Sequence, residues 1–296
     1  MESLLFEELV KRLNTVFTKD GELATDIGGF GFFRSCEPSE FTTAIYEPSL
    51  CIAVQGTKAV GFGDELFSYS PSTYLLSSVY MPLKVRIEKA STALPYYAIV
   101  LKFSMEEIFE AIKDMDNSGI KISSKPERGL YFGDMNIRLL EPLTRLVRLL
   151  DNPKDIPVLA PLIKKEILYI VMQGRGGDFI RQYIVDGSTT QRVVEAITKI
   201  KDNFREKLNF ENMAKTIGMS ESSLYHSFKK VTAMTPLEFQ KSLRLREAKQ
   251  MLLNQNTSAA EVAFAVGYES PSHFSREYAR MFGLPPKADA KASKRL

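Results

Sequence analysis

At 296 residues, with 44% apolar and 25% charged side chains, the chain has the make-up of an ordinary globular protein, and its length suits two domains better than one. It has no apolar run of the roughly 18 residues that a transmembrane helix needs, so no transmembrane helix is expected. The net charge of +3 conceals a division: from Ser188 onward 18 Lys and Arg stand against 11 Asp and Glu, a local +7, and the preceding residues carry −4. Segregated positive charge fits a polyanionic partner, although exposed helices are often lysine-rich on their own account.

The opening MESLLFEELVKRL alternates acids, bases and apolar residues on a helical period. It lacks the basic start and unbroken apolar stretch of a secretion signal, so a cytoplasmic location without membrane attachment is expected. Residues 21–103 read as short strands. The runs SLCIAVQG, KAVGFG, ELFSYS, STYLLSS, LKVRIEK and YYAIVLKF are rich in β-branched and aromatic residues, and Gly56, Gly63-Asp64, Pro71, Pro82 and Pro95 punctuate them. Such close turn spacing predicts an antiparallel sandwich or small barrel.

Two cysteines, Cys36 and Cys51, are too few for a disulfide framework and are expected to be reduced thiols in a packed domain; a redox role is the minority reading. Residues 1–225 contain no histidine, which excludes a histidine metal site there. Tyr46, Tyr69 and Tyr74 are candidates to line a pocket, but core packing is the better expectation for each. No cluster of polar groups in this half suggests catalysis. No catalytic residue, cofactor or metal is therefore expected, and the protein is read as not an enzyme.

Ser104-Met105-Glu106-Glu107 predicts a helix start, with Ser104 as N-cap and Glu107 at capping-box spacing. Ile137, Leu140, Leu143, Leu146, Val147 and Leu150 then form an apolar stripe at helical spacing, and a second helix is predicted from Pro161 to Met172. This stripe suits core packing and a dimer seam equally well. Gly174-Arg175-Gly176-Gly177 reads as a loop, and Asp186-Gly187-Ser188-Thr189 as a linker. From Gln191 onward the pattern is helical, with turns at Gly218, at residues 254–256, at Gly267 and at Gly283.

A motif in this basic, helical stretch occurs twice. Phe210, Met213, Ala214, Ile217 and Gly218 precede Leu224 and Phe228; Val262, Ala263, Val266 and Gly267 precede Phe274 and Tyr278. In each copy an Ala sits four residues before a Gly, and a Ser follows before a new apolar pair spaced i, i+4. This predicts helix, tight turn, helix, twice over, the arrangement that places a helix in a DNA major groove. In the first copy Ser220 caps the second helix, and Ser222, Tyr225 and His226 are expected outward, within reach of base edges. Lys229 and Lys230 are better placed for phosphates. In the second copy the cap, Ser270, comes one residue later, and Pro271, Ser272, Ser275 and Arg276 are expected outward. Arg276 is the foremost candidate for a base contact, because its fork can bind guanine bidentately; a phosphate contact or a surface ion pair is the competing reading. His226 is expected to face DNA or solvent, and His273 to lie against its own helix. Residues 236–253 predict one rigid helix joining the two units. It would let them read successive major-groove faces about 34 Å apart. Since the two outward faces differ, the DNA site is expected to hold two unlike half-elements.

The segment NMAKTIGMSESSLYHSFKKVTAMTPLEFQKSLRLREAKQMLL, followed by EVAFAVGYESPSHFSREYARMFGLPP, resembles the DNA-binding domain of the AraC/XylS family of bacterial transcription regulators. The likeness rests on the two helix-turn-helix copies, the joining helix containing RLREAKQMLL, and the run GYESPSHFSREY. YEPSLCIAVQGTKAVGFGDELFSYSPSTYLLSSVYMPLKV likewise resembles the N-terminal domain of one subgroup of that family. The resemblance implies an α+β chain. A cupin-like antiparallel β-barrel sensor domain with following helices (1–130) leads to a helical dimerisation or linker region (131–187). An all-α AraC-type DNA-binding domain (188–290) follows, with helix-turn-helix units near 210–230 and 259–282. It implies double-stranded promoter or operator DNA as partner, a small-molecule effector, and RNA polymerase and a second copy of the chain as further candidate partners. Two positions depart from the family: Ala233 stands where Gly is usual, and KADAKASKRL after Pro285-Pro286 predicts a short or frayed last helix.

Overall fold

The computed structural model describes residues 2–114, 128–173, 175–181, 187–254 and 257–293. The chain divides into two compact units, 1–191 and 192–296.

The first unit opens with helix α1 (Glu2–Val16), followed by nine strands: β1 (Gly21–Ala24), β2 (Phe30–Ser35), β3 (Thr42–Tyr46), β4 (Ser49–Gln55), β5 (Thr57–Phe62), β6 (Glu65–Tyr69), β7 (Thr73–Ser77), β8 (Met81–Lys89) and β9 (Tyr96–Lys102). A tenth, β10 (Leu130–Asp134), follows α2 (Met105–Asp114). They form a six-stranded sheet in the order β1-β2-β9-β4-β7-β10 and a four-stranded sheet in the order β3-β8-β5-β6. Every pairing is antiparallel. The sheets face each other: the Tyr96 hydroxyl of one donates to the Tyr69 hydroxyl of the other, and Phe132 of β10 stacks on Phe67 of β6 with ring centres 5.0 Å apart. The expected two-sheet antiparallel architecture is thus observed. Strand β10 is not foreseen by the sequence pattern; it is a five-residue strand whose pairing with β7 is wholly long-range.

SLCIAVQ in β4 is buried at six successive positions because it is covered on both faces. One face meets the other sheet. On the opposite face, where Tyr97 of β9 lies, α1 is docked: Tyr97 donates to Asn14, and Leu9 and Leu13 are fully buried. Glu8 of α1 takes a bidentate pair from Arg148 at 2.7 and 2.6 Å, and Arg12 reaches Asp151. Tyr46, Tyr69 and Tyr74 are all core residues. The α2 start is as expected: Ser104 Oγ accepts from Glu107 N, and Glu107 Oε2 accepts from Ser104 N.

Helices α3 (Ile137–Arg148), α4 (Ile156–Met172) and α5 (Arg175–Arg181) complete this unit. The α3 stripe is internal: Leu139, Leu140, Leu143, Leu146 and Val147 are buried within one chain. Two expectations need correction. Helix α4 begins five residues before Pro161, which lies inside it. So near the N-terminus this proline removes one hydrogen bond, to the carbonyl of Pro157, and the helix tolerates it. The supposed loop around Gly176-Gly177 is helix α5. A Cβ on Gly177 would lie 1.9 Å from the Met172 carbonyl oxygen, so glycine here allows close helix approach rather than chain reversal. Gly174, Asp186 and residues 255–256 lie outside the described residues. No described helix is long and apolar enough to cross a membrane.

The second unit is helical: α6 (Thr189–Asp202, which begins just before the boundary), α7 (Phe210–Thr216), α8 (Glu221–Thr232), α9 (Pro236–Asn254), α10 (Ala259–Ala265), α11 (Pro271–Phe282) and α12 (Pro286–Ser293). The long α9 has apolar residues on more than one face because it serves two partners. Phe239 packs edge-on against Phe228 of α8 at 5.3 Å. Leu245, Ala248 and Leu252 share a core with Val262, Val266, Phe274 and Tyr278. The last helix is short, as expected, yet anchored: Tyr278 donates to Asp289 at 2.7 Å, and Lys249 pairs with the same carboxylate at 2.9 Å.

Candidate nucleic-acid interface

Each copy of the doubled motif folds as helix, turn, helix. In α7–α8 the turn residue Gly218 has φ +69°, and in α10–α11 Gly267 has φ +90°, both in the left-handed region that glycine favours. The two glycines differ in what surrounds them. A Cβ at Gly218 would meet the Arg192 guanidinium at 3.7 Å, an ordinary contact, whereas one at Gly267 would sit 2.0 Å from the Arg205 carbonyl oxygen. The second turn is therefore fixed against the loop before α7, and only glycine fits there. Ser220 Oγ accepts from Ser223 N and Ser270 Oγ from His273 N, so both second helices start on the predicted caps. Ser258 and Glu261 add a full capping box at the start of α10.

The inward pairs are Leu224 with Phe228 and Phe274 with Tyr278, all at most 1% exposed. That packing fixes the rotation of α8 and α11 and so decides what faces outward. On α8, Ser222, His226, Lys229 and Lys230 are exposed, and Tyr225 is half-buried, its ring edge-on to Phe210 at 6.1 Å. On α11, Ser272 and Arg276 are exposed, and Pro271 and Ser275 are half-buried. All nine candidates thus lie on the second helices, with the most accessible side chains furthest from the core.

Sequence reasoning missed the polar scaffold that holds α11. Glu277 is buried beside the exposed Arg276. It accepts from Tyr268 at 3.0 Å and from Lys241 of α9 at 3.0 Å, with Arg280 at 3.3 Å. Burial alone would raise its carboxyl pKa, but the hydrogen bonds from Lys241 and Tyr268 outweigh that, and the net shift is downward. His273 sits on the same cluster, 5.8 Å from the Tyr268 ring centre and 3.7 Å from Glu277. Arg280 is thus tethered, while the side chain of Arg276, one turn earlier, has no ion pair or hydrogen bond among the described residues.

Arg244 of α9 is a second hidden support. Its guanidinium donates to the carbonyls of Phe204 (2.6 Å), Gly267 (2.8 Å), Glu206 (2.7 Å) and Arg205 (3.2 Å). Gln240 adds two more bonds to the same loop, at 2.9 and 2.7 Å. The joining helix therefore clamps the loop before the first motif and the turn of the second. Only the long-range fold reveals this: in sequence, Arg244 is one of many exposed-looking basic residues.

Ala233, where the resemblance led one to expect glycine, keeps the left-handed conformation with φ +60°, the sole non-glycine to do so among the described residues. The turn is preserved and its strain is carried by an L-residue. Among the described residues, no group of three or more His, Cys, Asp or Glu side chains is gathered as a metal ion would require.

Comparison with known proteins agrees with this geometry. Residues 213–292 match the helix-turn-helix domain family. A transcriptional regulator of Escherichia coli K12, YdiP, which is itself uncharacterised, is 34% identical over 87 residues, covering 29% of each chain. The transcriptional activator RhaS of Pectobacterium carotovorum is 28% identical over 151 residues, covering 51% of this chain and 53% of that protein. The matched region thus spans about half or less of these curated relatives. In three dimensions the chain resembles ToxT of Vibrio cholerae, crystallised with an unsaturated fatty acid bound. The TM-score is 0.57 at 10% identity, covering 90% of this chain and 96% of that one, a likeness of fold alone. Residues 26–179, more than half of the chain, match the family of the AraC-type transcriptional regulator N-terminus, and the chain belongs to the AraC family of transcriptional regulators.

Proposed function

We propose that the chain is a sequence-specific DNA-binding regulator of transcription whose N-terminal unit responds to a small molecule. The observation that carries the DNA reading is the contrast on α11: Arg276 projects uncommitted from a helix whose neighbouring charges, Glu277 and Arg280, are bound to each other. Ser222, Tyr225, His226, Pro271, Ser272, Ser275 and Arg276 form the base-facing set, and Lys229 and Lys230 contact phosphates. The excess positive charge of this unit supplies the salt-dependent share of the affinity. Fluorescence anisotropy on DNA from the chain's own promoter region, at two salt concentrations, tests it. Affinity that falls steeply with salt and still distinguishes the site from random DNA supports the reading, and indifference to sequence refutes it.

The sensor reading rests on family membership and on a two-sheet domain with an open cleft of about 710 Å³ between α1 and the end of β4 at Val54 and Gln55, beside Pro71. The fatty acid held by ToxT, a protein of similar fold, lends it support. A second copy of the chain is the partner proposed for α4, where Val158, Leu159, Leu162 and Tyr169 leave an apolar stripe exposed. Double-stranded operator DNA is the polymer partner, with RNA polymerase engaged at the promoter. No catalytic role is assigned to the protein.

A further inference from the structure

Each helix-turn-helix unit follows a longer helix, α6 before the first and α9 before the second, and each of these helices sends an arginine to the turn. Arg192 of α6 donates to the Gly218 carbonyl at 2.6 Å, and Arg244 of α9 donates to the Gly267 carbonyl at 2.8 Å. The separations along the chain are 26 and 23 residues, so the doubled motif extends to its support. In both turns the glycine N–H and the N–H after it bond back into the preceding helix: Gly218 to Lys215 and Met219 to Ala214, Gly267 to Phe264 and Tyr268 to Ala263. The glycine carbonyl is left over by that pattern, and in each unit a guanidinium takes it.

Local structure gives no reason for a cation at Arg192. Ser188 Oγ accepts from Gln191 N and Gln191 Oε1 from Gly187 N, a capping box that puts Arg192 near the positive end of α6. The helix dipole disfavours a cation there. No carboxylate offsets this, since Arg192 has no ion pair among the described residues. Val193, Ala196, Ile197 and Ile200 are buried, so the guanidinium is carried on a fixed support. It covers Gly218, 3.7 Å from where a Cβ would stand. Two residues after Gly218, Ser220 caps α8. A shift of the Gly218 peptide therefore tilts the helix from which Ser222, Tyr225 and His226 project.

The two turns are not held equally. Arg244 also binds the carbonyls of Phe204, Arg205 and Glu206, and α11 is tied from behind through Glu277 and Lys241. Arg192 makes a single hydrogen bond. Its loss would leave the second turn as it is and free the first.

We propose that Arg192 is the positioning residue of the first reader: it holds the Gly218 turn so that α8 meets one half of the DNA site, and it governs recognition of that half alone. This rests on the DNA reading above and names the residue that orients its first unit.

The test uses the full chain and a double-stranded site that the wild type selects from random-sequence DNA. The α8 half of that site is the set of base pairs whose substitution ceases to matter in the double variant Ser222→Ala with His226→Ala; the α11 half is mapped likewise with Arg276→Ala. In the wild type a substituted base pair in either half should weaken binding about tenfold. Arg192→Gln should cut that penalty to about threefold or less in the α8 half, leave the α11 half unchanged, and raise amide exchange at residues 217–220. Arg192→Lys, whose ammonium can still reach one carbonyl, should restore the wild-type penalties. A residue that merely stabilised the unit would lower the melting temperature and the affinity for every DNA with the penalties intact, and that result overturns the proposal. So does an equal loss in both halves. A loss equal on site and random DNA, with a shallower salt dependence, would make Arg192 a phosphate contact and overturn it too. If the wild type selects no site, the DNA reading and this proposal both fall. If it selects a site and Arg192→Gln discriminates as the wild type does, the DNA reading stands and the proposal falls.

Discussion

Tyr268, in the turn of the second helix-turn-helix unit, donates its hydroxyl to Glu277, the residue next to Arg276, at 3.0 Å. Because Lys241 holds the other oxygen of that carboxylate, α11 is fastened at once to its own turn and to α9. The orientation of the outward face is thus set by a buried polar group directly behind it.

Replacing Glu277 with Gln keeps the shape but leaves the Lys241 ammonium without a counter-charge. The expected loss is roughly 2 kcal/mol, the usual scale for a hydrogen-bonded charge deprived of its partner. The wild-type carboxyl has a folded pKa below its unfolded value of about 4.3. Its contribution is therefore present above that pH and lost as pH falls through the folded pKa. Melting temperatures measured from neutral to acid pH should show a shallower acid decline in Glu277→Gln than in the wild type. Parallel curves would mean that the carboxylate stabilises nothing.

Arg276 and Arg280 lie one turn apart on α11 and should behave differently. Arg276→Ala is expected to cost about 1–3 kcal/mol on the specific site and much less on random DNA, as a lost base contact does. Arg280→Ala removes a residue already paired with Glu277 and should change both affinities equally, by a small amount. Equal losses for Arg276→Ala on both DNAs would make it a phosphate contact instead.

Ala233 offers a gain of stability. A left-handed backbone costs a non-glycine residue about 1–2 kcal/mol, and glycine's greater freedom in the unfolded chain returns some of that. Ala233→Gly should therefore stabilise the second unit by about 0.5–1 kcal/mol, with DNA affinity unchanged. Denaturant unfolding followed by circular dichroism reads it, and a lower midpoint would contradict the strain assigned to φ +60°.

What could be read from sequence here was local. The caps Ser104, Ser220 and Ser270 and the inward pairs follow from spacing along one helix, and they appear where the spacing put them. What could not be read depends on a distant partner. Strand β10 exists because β7 pairs with it. Gly177 sits inside a helix as a glycine because a Cβ there would strike the Met172 carbonyl. Arg244 is a clamp only because four carbonyls from two separate loops converge on it. Lys58 looks like any strand lysine until register shows that it points between the sheets.

The Arg244 clamp can be separated from simple charge. Lys carries the same charge but cannot spread donors over the carbonyls of Phe204, Arg205, Glu206 and Gly267. Arg244→Lys should therefore loosen residues 204–206 and the Gly267 turn, raising amide hydrogen exchange there and leaving α7 and α8 protected. Unchanged exchange at both places would show that the loop holds without the fork.

The pairing of Glu8 with Arg148 makes α1 a conditional wall of the cleft. Two charge-assisted bonds from Arg148, with a further one from Arg12, outweigh burial and hold the Glu8 carboxyl down at about 2. Its stabilisation is complete above the unfolded carboxyl value and fades as pH falls toward 2. The pair is partly open to solvent, so Glu8→Gln should cost only about 1 kcal/mol overall. The sharper effect is local. With Arg148 released, α1 keeps Leu9, Leu13 and the Asn14–Tyr97 bond but loses its tether to α3. Limited proteolysis within residues 2–16 should become faster in Glu8→Gln at neutral pH, with the sheets still intact by circular dichroism. A rate equal to the wild type would show that the apolar face of α1 suffices to hold it.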